Sequence, residues 1–215
     1  MISVVRNVLC FLIVFSVSGS AFAGGNVKSG EKLATTCAAC HGADGNSASA
    51  TFPKLAGLGD KYLLKQLKDI RSGARPVAMM TGMLEGYSDQ QLADIAAFFD
   101  AQEMQLSGSK DIKVQVNSGM KVDGLALGAR IYRAGNHETG VPSCTGCHSP
   151  RGLGNSPALY PRLSGQHADY ISKQLKDFRA GNRTNDSQGR VMRSVAKNMN
   201  DAEIEALANF IAGLH

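Results

Sequence analysis

One short pattern occurs twice in the chain, and everything around it is duplicated with it. CAACH at 37–41 reappears as CTGCH at 144–148, 107 residues further on. FPKLAG (52–57) returns as YPRLSG (160–165), and YLLKQLKDIRSG (62–73) as YISKQLKDFRAG (170–181), both displaced by 108. SDQQLADIAAFF (88–99) matches NDAEIEALANFI (200–211) at a displacement of 112, and SGEKL (29–33) pairs with LGARI (127–131). Conserved order with a slowly drifting offset marks a tandem duplication. We therefore expect a leader at 1–23, a first domain at 24–104, a linker at 105–122 and a second domain at 123–215. The linker region, rich in Ser, Gly and Lys, repeats in neither half.

The leader follows from the first residues. Arg6 precedes an apolar run at 8–17 and a small-residue stretch ending Ala21-Phe22-Ala23, the layout of a signal peptide with an A-x-A cleavage site. A run of that length falls short of the ~20 residues that span a bilayer. Cleavage removes Cys10, leaves four cysteines and places the chain in the periplasm. Formal net charge drops from +5 to +4 with Arg6. The charges are interspersed rather than clustered, which argues against a nucleic-acid partner. They are unequal between the halves: the second domain carries the excess of Lys and Arg.

Both halves read as helical. Leu63, Leu67 and Ile70 recur at helical spacing, as do Ile171, Leu175 and Phe178. Ser88 with Gln91, and Asn200 with Glu203, are start signals for the last helix of each half. Leu92, Ile95, Ala96 and Phe99 form one apolar stripe; Ile204, Leu207, Ala208 and Ile211 form its copy. No alternating strand pattern stands out, and the Gly-, Ser- and Pro-rich stretches between are loops. The expected fold class is all-α. Modules this small, with no Trp, are hard to stabilise by their own side chains alone.

The duplicated pattern supplies what is lacking. Cysteines at i and i+3 with histidine at i+4 share one face of a helical turn. Two thioether bonds can hold the vinyl groups of one porphyrin, and the adjacent imidazole reaches the iron: the c-type haem attachment motif. Cys37, Cys40 and His41, and Cys144, Cys147 and His148, are the candidate residues for two haem c groups. A redox dithiol would need neither the histidine nor this helical setting. A zinc site would have to draw its ligands from two separate repeats.

A second axial ligand is sought by the same duplication. At the displacement of 112, Met80 falls on Met192, while Met79 falls on Val191, Met83 on Val195 and Met199 on Tyr87. Only Met80 and Met192 are equivalent, and a loop at that place can close over a haem. His137, His167 and His215 have no counterpart in the first half. His/Met ligation fills both axial positions and suits electron transfer. Pro53 and Pro161 offer carbonyls that can orient the haem histidines, and the equivalent Arg75 and Arg183 can offset haem propionates.

Two tandem class I cytochrome c modules carrying CAACHGADGN, FPKLAG, YLLKQLKDI, MTGM, CTGCH, GNRTND and a final FIAGLH closely resemble the dihaem cytochrome c4 family. The resemblance implies pseudo-twofold related domains, each wrapped around one covalent haem, with ligand pairs His41/Met80 and His148/Met192. It implies a periplasmic, in some members membrane-associated, electron carrier and not an enzyme. The partners implied are an upstream quinol-oxidising complex and a haem–copper terminal oxidase such as the cbb3 type. A dihaem peroxidase and a haem-bearing subunit of a respiratory complex are the competing readings. The peroxidase would need an exchangeable axial position, whereas both repeats carry the same Met.

Overall fold

The computed structural model describes residues 24–215; the leader expected at 1–23 lies outside them. In the first module, α1 (Val27–Leu33), α2 (Ala38–His41), α3 (Asp60–Arg71) and α4 (Asp89–Asp100) are joined by loops and two 3₁₀ turns. The second module repeats the plan with α5 (Gly124–Ala134), α6 (Thr145–His148), α7 (Ala168–Ala180), α8 (Val191–Ala196) and α9 (Asp201–Ala212). The all-α expectation holds, with one addition between the modules. Strands β1 (Lys113–Gln115) and β2 (Lys121–Asp123) form a small antiparallel hairpin in register Val114 to Val122.

Local chemistry sets the helix ends. Ser88 and Gln91 close a capping box on α4, and Asn200 and Glu203 close the same box on α9. Asn26 and Asp123 cap α1 and α5 with side-chain oxygens. The stripes predicted on the last helices are the two cores. Leu92, Ile95, Ala96 and Phe99 are almost fully buried, as are Ile204, Leu207, Ala208 and Ile211. Ile95, Ala96 and Phe99 belong to one cluster and the four residues of α9 to another, one per module.

The first and last helices of each module cross at a glycine. A Cβ on Gly30 would lie 1.9 Å from the Asp94 carbonyl oxygen, and one on Gly128 2.1 Å from that of Ala206. Backbones this close leave no room for a side chain. A second repeated device ties each long middle helix to the last one. Arg71 donates to the carbonyl of Tyr87 and the carboxylate of Asp89; Arg179 does the same to Met199 and Asp201. Tyr87 and Met199 are thus matched in space as they are at the displacement of 112.

The polar stretch after residue 104 is not a free tether. Ser107 donates from its amide to Gly165, Gly108 donates to Ala212, and Lys110 exchanges two bonds with the side chain of Asn209. Val114, 2% exposed, is part of the second module's core. Two strands of three residues were too short to show an alternating pattern in sequence.

The modules face each other through reciprocal contacts. Arg75 donates to Tyr170 Oη at 2.9 Å and Gln174 Oε1 at 3.1 Å. Arg183 donates to the equivalent Tyr62 Oη at 3.2 Å and Gln66 Oε1 at 3.0 Å. Each arginine also bonds the glutamine of its own module, Arg75 to Gln66 and Arg183 to Gln174. A contact of i with j and of j with i is the signature of a two-fold interface, here a pseudo-two-fold between halves of one chain.

Two substitutions test this packing. Gly128→Ala should cost about 3 kcal/mol in urea unfolding, because backbone must move. Gly146→Ala, with nothing within 4 Å of the new Cβ, should be neutral to mildly stabilising; the first module already carries Ala39 there. Ser164 is fully buried with no hydrogen-bond partner for its hydroxyl among the described residues. Its counterpart is Ala56, so Ser164→Ala should stabilise by about 1 kcal/mol.

Candidate functional site

Each CxxCH is a single turn of helix that begins on its first cysteine. The amide of His41 donates to the Cys37 carbonyl at 3.0 Å, and that of His148 to the Cys144 carbonyl at 2.9 Å. Both turns then stop abruptly on a positive φ. Gly42 takes φ 81° without strain, whereas Ser149 at φ 68° is held by two bonds, Tyr132 Oη to its carbonyl and its own Oγ from the Leu153 amide.

The imidazoles are buried, 8% exposed at His41 and 6% at His148. Nδ1 of His41 lies 2.8 Å from the Pro53 carbonyl, and Nδ1 of His148 2.9 Å from that of Pro161. A carbonyl only accepts, so Nδ1 carries the proton and Nε2 keeps its lone pair. Burial holds both rings below their ordinary value of 6.5, partly offset by the bonds to Pro53 and Pro161. They are neutral at pH 7, as a metal-ligating histidine must be. Phe52 and its counterpart Tyr160 stand about 6 Å from the two rings, Phe52 edge-on to His41 and Tyr160 tilted against His148.

Cys37, Cys40, His41 and Met80 line one apolar cavity of about 450 Å³. Leu63, Leu67 and Ile70, the stripe read from α3, form one wall, and Phe99 and Ile95 of α4 form the floor. Three methionines reach this cavity. Met79 and Met83 are 61% and 51% exposed, while Met80 is half-buried. In the second module, Cys144 and Met192 both pack on the core cluster that α9 builds. Met192 lies in the first turn of helix α8, whereas Met80 closes the 3₁₀ turn Ala78–Met80. The expectation of a loop thus describes the first position better than the second.

The first cysteine of each pair does not have the character of an activated redox thiol. Burial raises the Cys37 thiol above its ordinary value and pushes Cys144 up to about 12, the opposite of the lowered value that activates a thiol. None of the four is in a disulfide. No cluster of three or more His, Cys, Asp or Glu converges as a metal site among the described residues. The donor set and the cavity therefore fit a porphyrin held from one side by two sulfurs and an imidazole.

Residues of the second module complete the first cavity. Tyr170, Gln174 and Arg183 line it together with Tyr62, Gln66 and Arg75. Arg183 is 8% exposed, and neither arginine makes a carboxylate ion pair among the described residues. Burial works to raise the Tyr62 phenol, but the Arg183 and Arg75 guanidiniums outweigh it and bring the group below its ordinary value. Two unneutralised guanidiniums at a cavity mouth favour anionic groups there. Sequence reasoning singled out the arginines but not the tyrosines and glutamines. Their signal was present, since Tyr62/Tyr170 and Gln66/Gln174 are matched pairs in the repeat.

Two helical modules, each presenting Cys, Cys and a neutral His on one helical turn, the first of them at an apolar cavity, define a two-module c-type cytochrome. The cytochrome c family model matches residues 27–102 and 125–215. Cytochrome c4 of Azotobacter vinelandii is 46% identical over 219 residues, covering 98% of this chain and 99% of the relative. The crystal structure of reduced recombinant cytochrome c4 from Pseudomonas stutzeri superposes with a TM-score of 0.81 at 45% identity, over 89% of this chain and 100% of that one. A thiosulfate dehydrogenase electron acceptor of Stutzerimonas stutzeri is 37% identical over 84% of this chain and 80% of its own length. The chain belongs to the dihaem cytochrome c4 family. It carries two covalently bound haem c groups and transfers electrons between redox partners.

The arginine pair gives a direct test of the inter-module contact. Arg183→Met removes charged donors from Tyr62, Gln66 and Gln174 and should lower stability in urea by about 2–3 kcal/mol. Cleavage of the connecting segment by a protease should become faster in parallel.

Proposed function

We propose that the chain is a periplasmic carrier that passes single electrons along a respiratory chain towards a haem–copper terminal oxidase, the cbb3 type being the class we assign. The supporting observation is the twofold recurrence of one closed ligand set. In each module a neutral histidine, oriented by a proline carbonyl, sits beside a CxxC pair, and an equivalent methionine follows at the same place in the repeat. His41 with Met80, and His148 with Met192, are the axial ligands in this reading. The bound haem supplies a one-electron ferrous/ferric couple in each module. The protein residues would hold that group from both sides: the imidazole, unable to rotate while Nδ1–H is held, would present Nε2 to the iron, and the methionine would supply the second ligand.

A site without an open axial position has no place for peroxide or oxygen, which favours a carrier over an enzyme. The leader at 1–23 supports export, and no helix among the described residues is long and apolar enough to cross a membrane. Arg75 and Arg183 serve as counter-charges for the haem carboxylates. The upstream donor we assign to a quinol-oxidising complex. The likeness to a thiosulfate dehydrogenase electron acceptor favours a dehydrogenase as a second donor class.

Met80→Ala and Met192→Ala should each abolish the sulfur-to-iron charge-transfer band of one haem and leave that of the other. The intact reduced protein should bind carbon monoxide slowly and incompletely at neutral pH, and each variant should take up one equivalent rapidly. Rapid stoichiometric binding by the intact protein, or peroxide turnover at ordinary enzyme rates of about 1–1000 per second, would replace the carrier reading by the enzyme.

A further inference from the structure

The peptide unit that holds His41 is itself held by the other module. The carbonyl of Pro53, which accepts from His41 Nδ1–H, and the amide N–H of Lys54 belong to one planar group. That N–H donates to Oε1 of Gln166 at 2.9 Å, and Nε2 of Gln166 donates back to the Lys54 carbonyl at 2.8 Å. Oε1 also accepts the amide of His167 at 3.0 Å. Facing two backbone donors, the side-chain amide can stand only one way round. Gln166 is 2% exposed and Lys54 5%, so water competes for none of these bonds.

The matched position in the first module is Leu58, which cannot do this with its side chain. Its carbonyl instead accepts the amide of Arg162 at 3.4 Å. Arg162 follows Pro161 as Lys54 follows Pro53, so the peptide supporting each histidine leans on the opposite module. The N–H of the first is held by a buried side chain that also grips the next carbonyl, the N–H of the second by one long backbone bond.

We propose that Gln166 is a positioning residue for the haem ligand of the first module, acting across the interface on the Pro53–Lys54 peptide. This inference rests on His41 being that ligand. Donation from the peptide N–H polarises the group and makes its carbonyl a stronger acceptor. The Nδ1–H bond tightens, His41 becomes the more basic ligand, and the ferric state gains relative to the ferrous. Docking of the second module therefore lowers the midpoint of the first haem, and the weaker contact at Arg162 gives the second haem less of the same effect.

The test is a redox titration of the intact dihaem protein together with solvent exchange of the His41 Nδ1 proton. In Gln166→Leu, one of the two one-electron steps should move to more positive potential while the other stays, and the proton should exchange about tenfold faster. Gln166→Glu keeps an acceptor for Lys54 N–H and should restore the midpoint towards that of the parent. Gln166→Met, nearly isosteric, replaces the leucine variant if that one does not fold. Unchanged midpoints in the Leu or Met variant, with only lowered stability, would reduce Gln166 to a clamp between modules. Equal movement of both steps would also overturn the proposal. A charge-transfer band that survives Met80→Ala while the Gln166 shifts hold would count against the assigned methionine and not against this mechanism.

Discussion

The bond from a histidine Nδ1–H to a proline carbonyl is the constraint around which each module is arranged. It fixes the tautomer, and so leaves Nε2 as the only nitrogen that can face the cavity. It requires the loop carrying Pro53 or Pro161 to return to the CxxCH turn 12 or 13 residues after leaving it. That return is made by turns with few side chains of their own. Gly45 accepts the amides of Leu55 and Ala56, and Gly152 accepts those of Leu163 and Ser164. The helices then supply walls, and their glycine crossings set how closely the first and last can approach.

Placing the cofactor at the core changes which residues are free to specify the rest. The apolar face of α3 lines the cavity as well as packing on α4. The polar face of the same helix carries Tyr62 and Gln66 to the second module. One helix thus joins ligand site and interface, and a shift of either module is felt by both. The connecting segment adds little freedom, because Val114 is buried among residues of the second module.

Most of this was legible because the chain is its own alignment. The two capping boxes, the apolar stripes and the proline carbonyls could be read from matched positions. Met80 is proposed over its neighbours on the same comparison, since only Met192 answers it. Contacts between the copies were not legible in the same way. A repeat shows that Tyr62 and Tyr170 are equivalent, but not that each meets the other module's arginine. Gln166 escaped for the opposite reason: its counterpart is Leu58, so the comparison that exposed everything else marked it as a difference. Helix α8 was missed because six residues without caps give too short a period to detect.

The reciprocal arginines also bear on how such a chain could arise. A surface in which Arg reaches the Tyr and Gln of a copy, and receives the same in return, is self-complementary. A lone module with that surface would already pair with itself, at a concentration set by its affinity. Joining two copies through some eighteen residues makes the encounter intramolecular, at an effective concentration in the millimolar range for a short tether. Pairing no longer depends on expression level, and the two halves become free to diverge. The difference between Leu58 and Gln166 at two matched positions is such a divergence, open only to a pair that can no longer exchange partners.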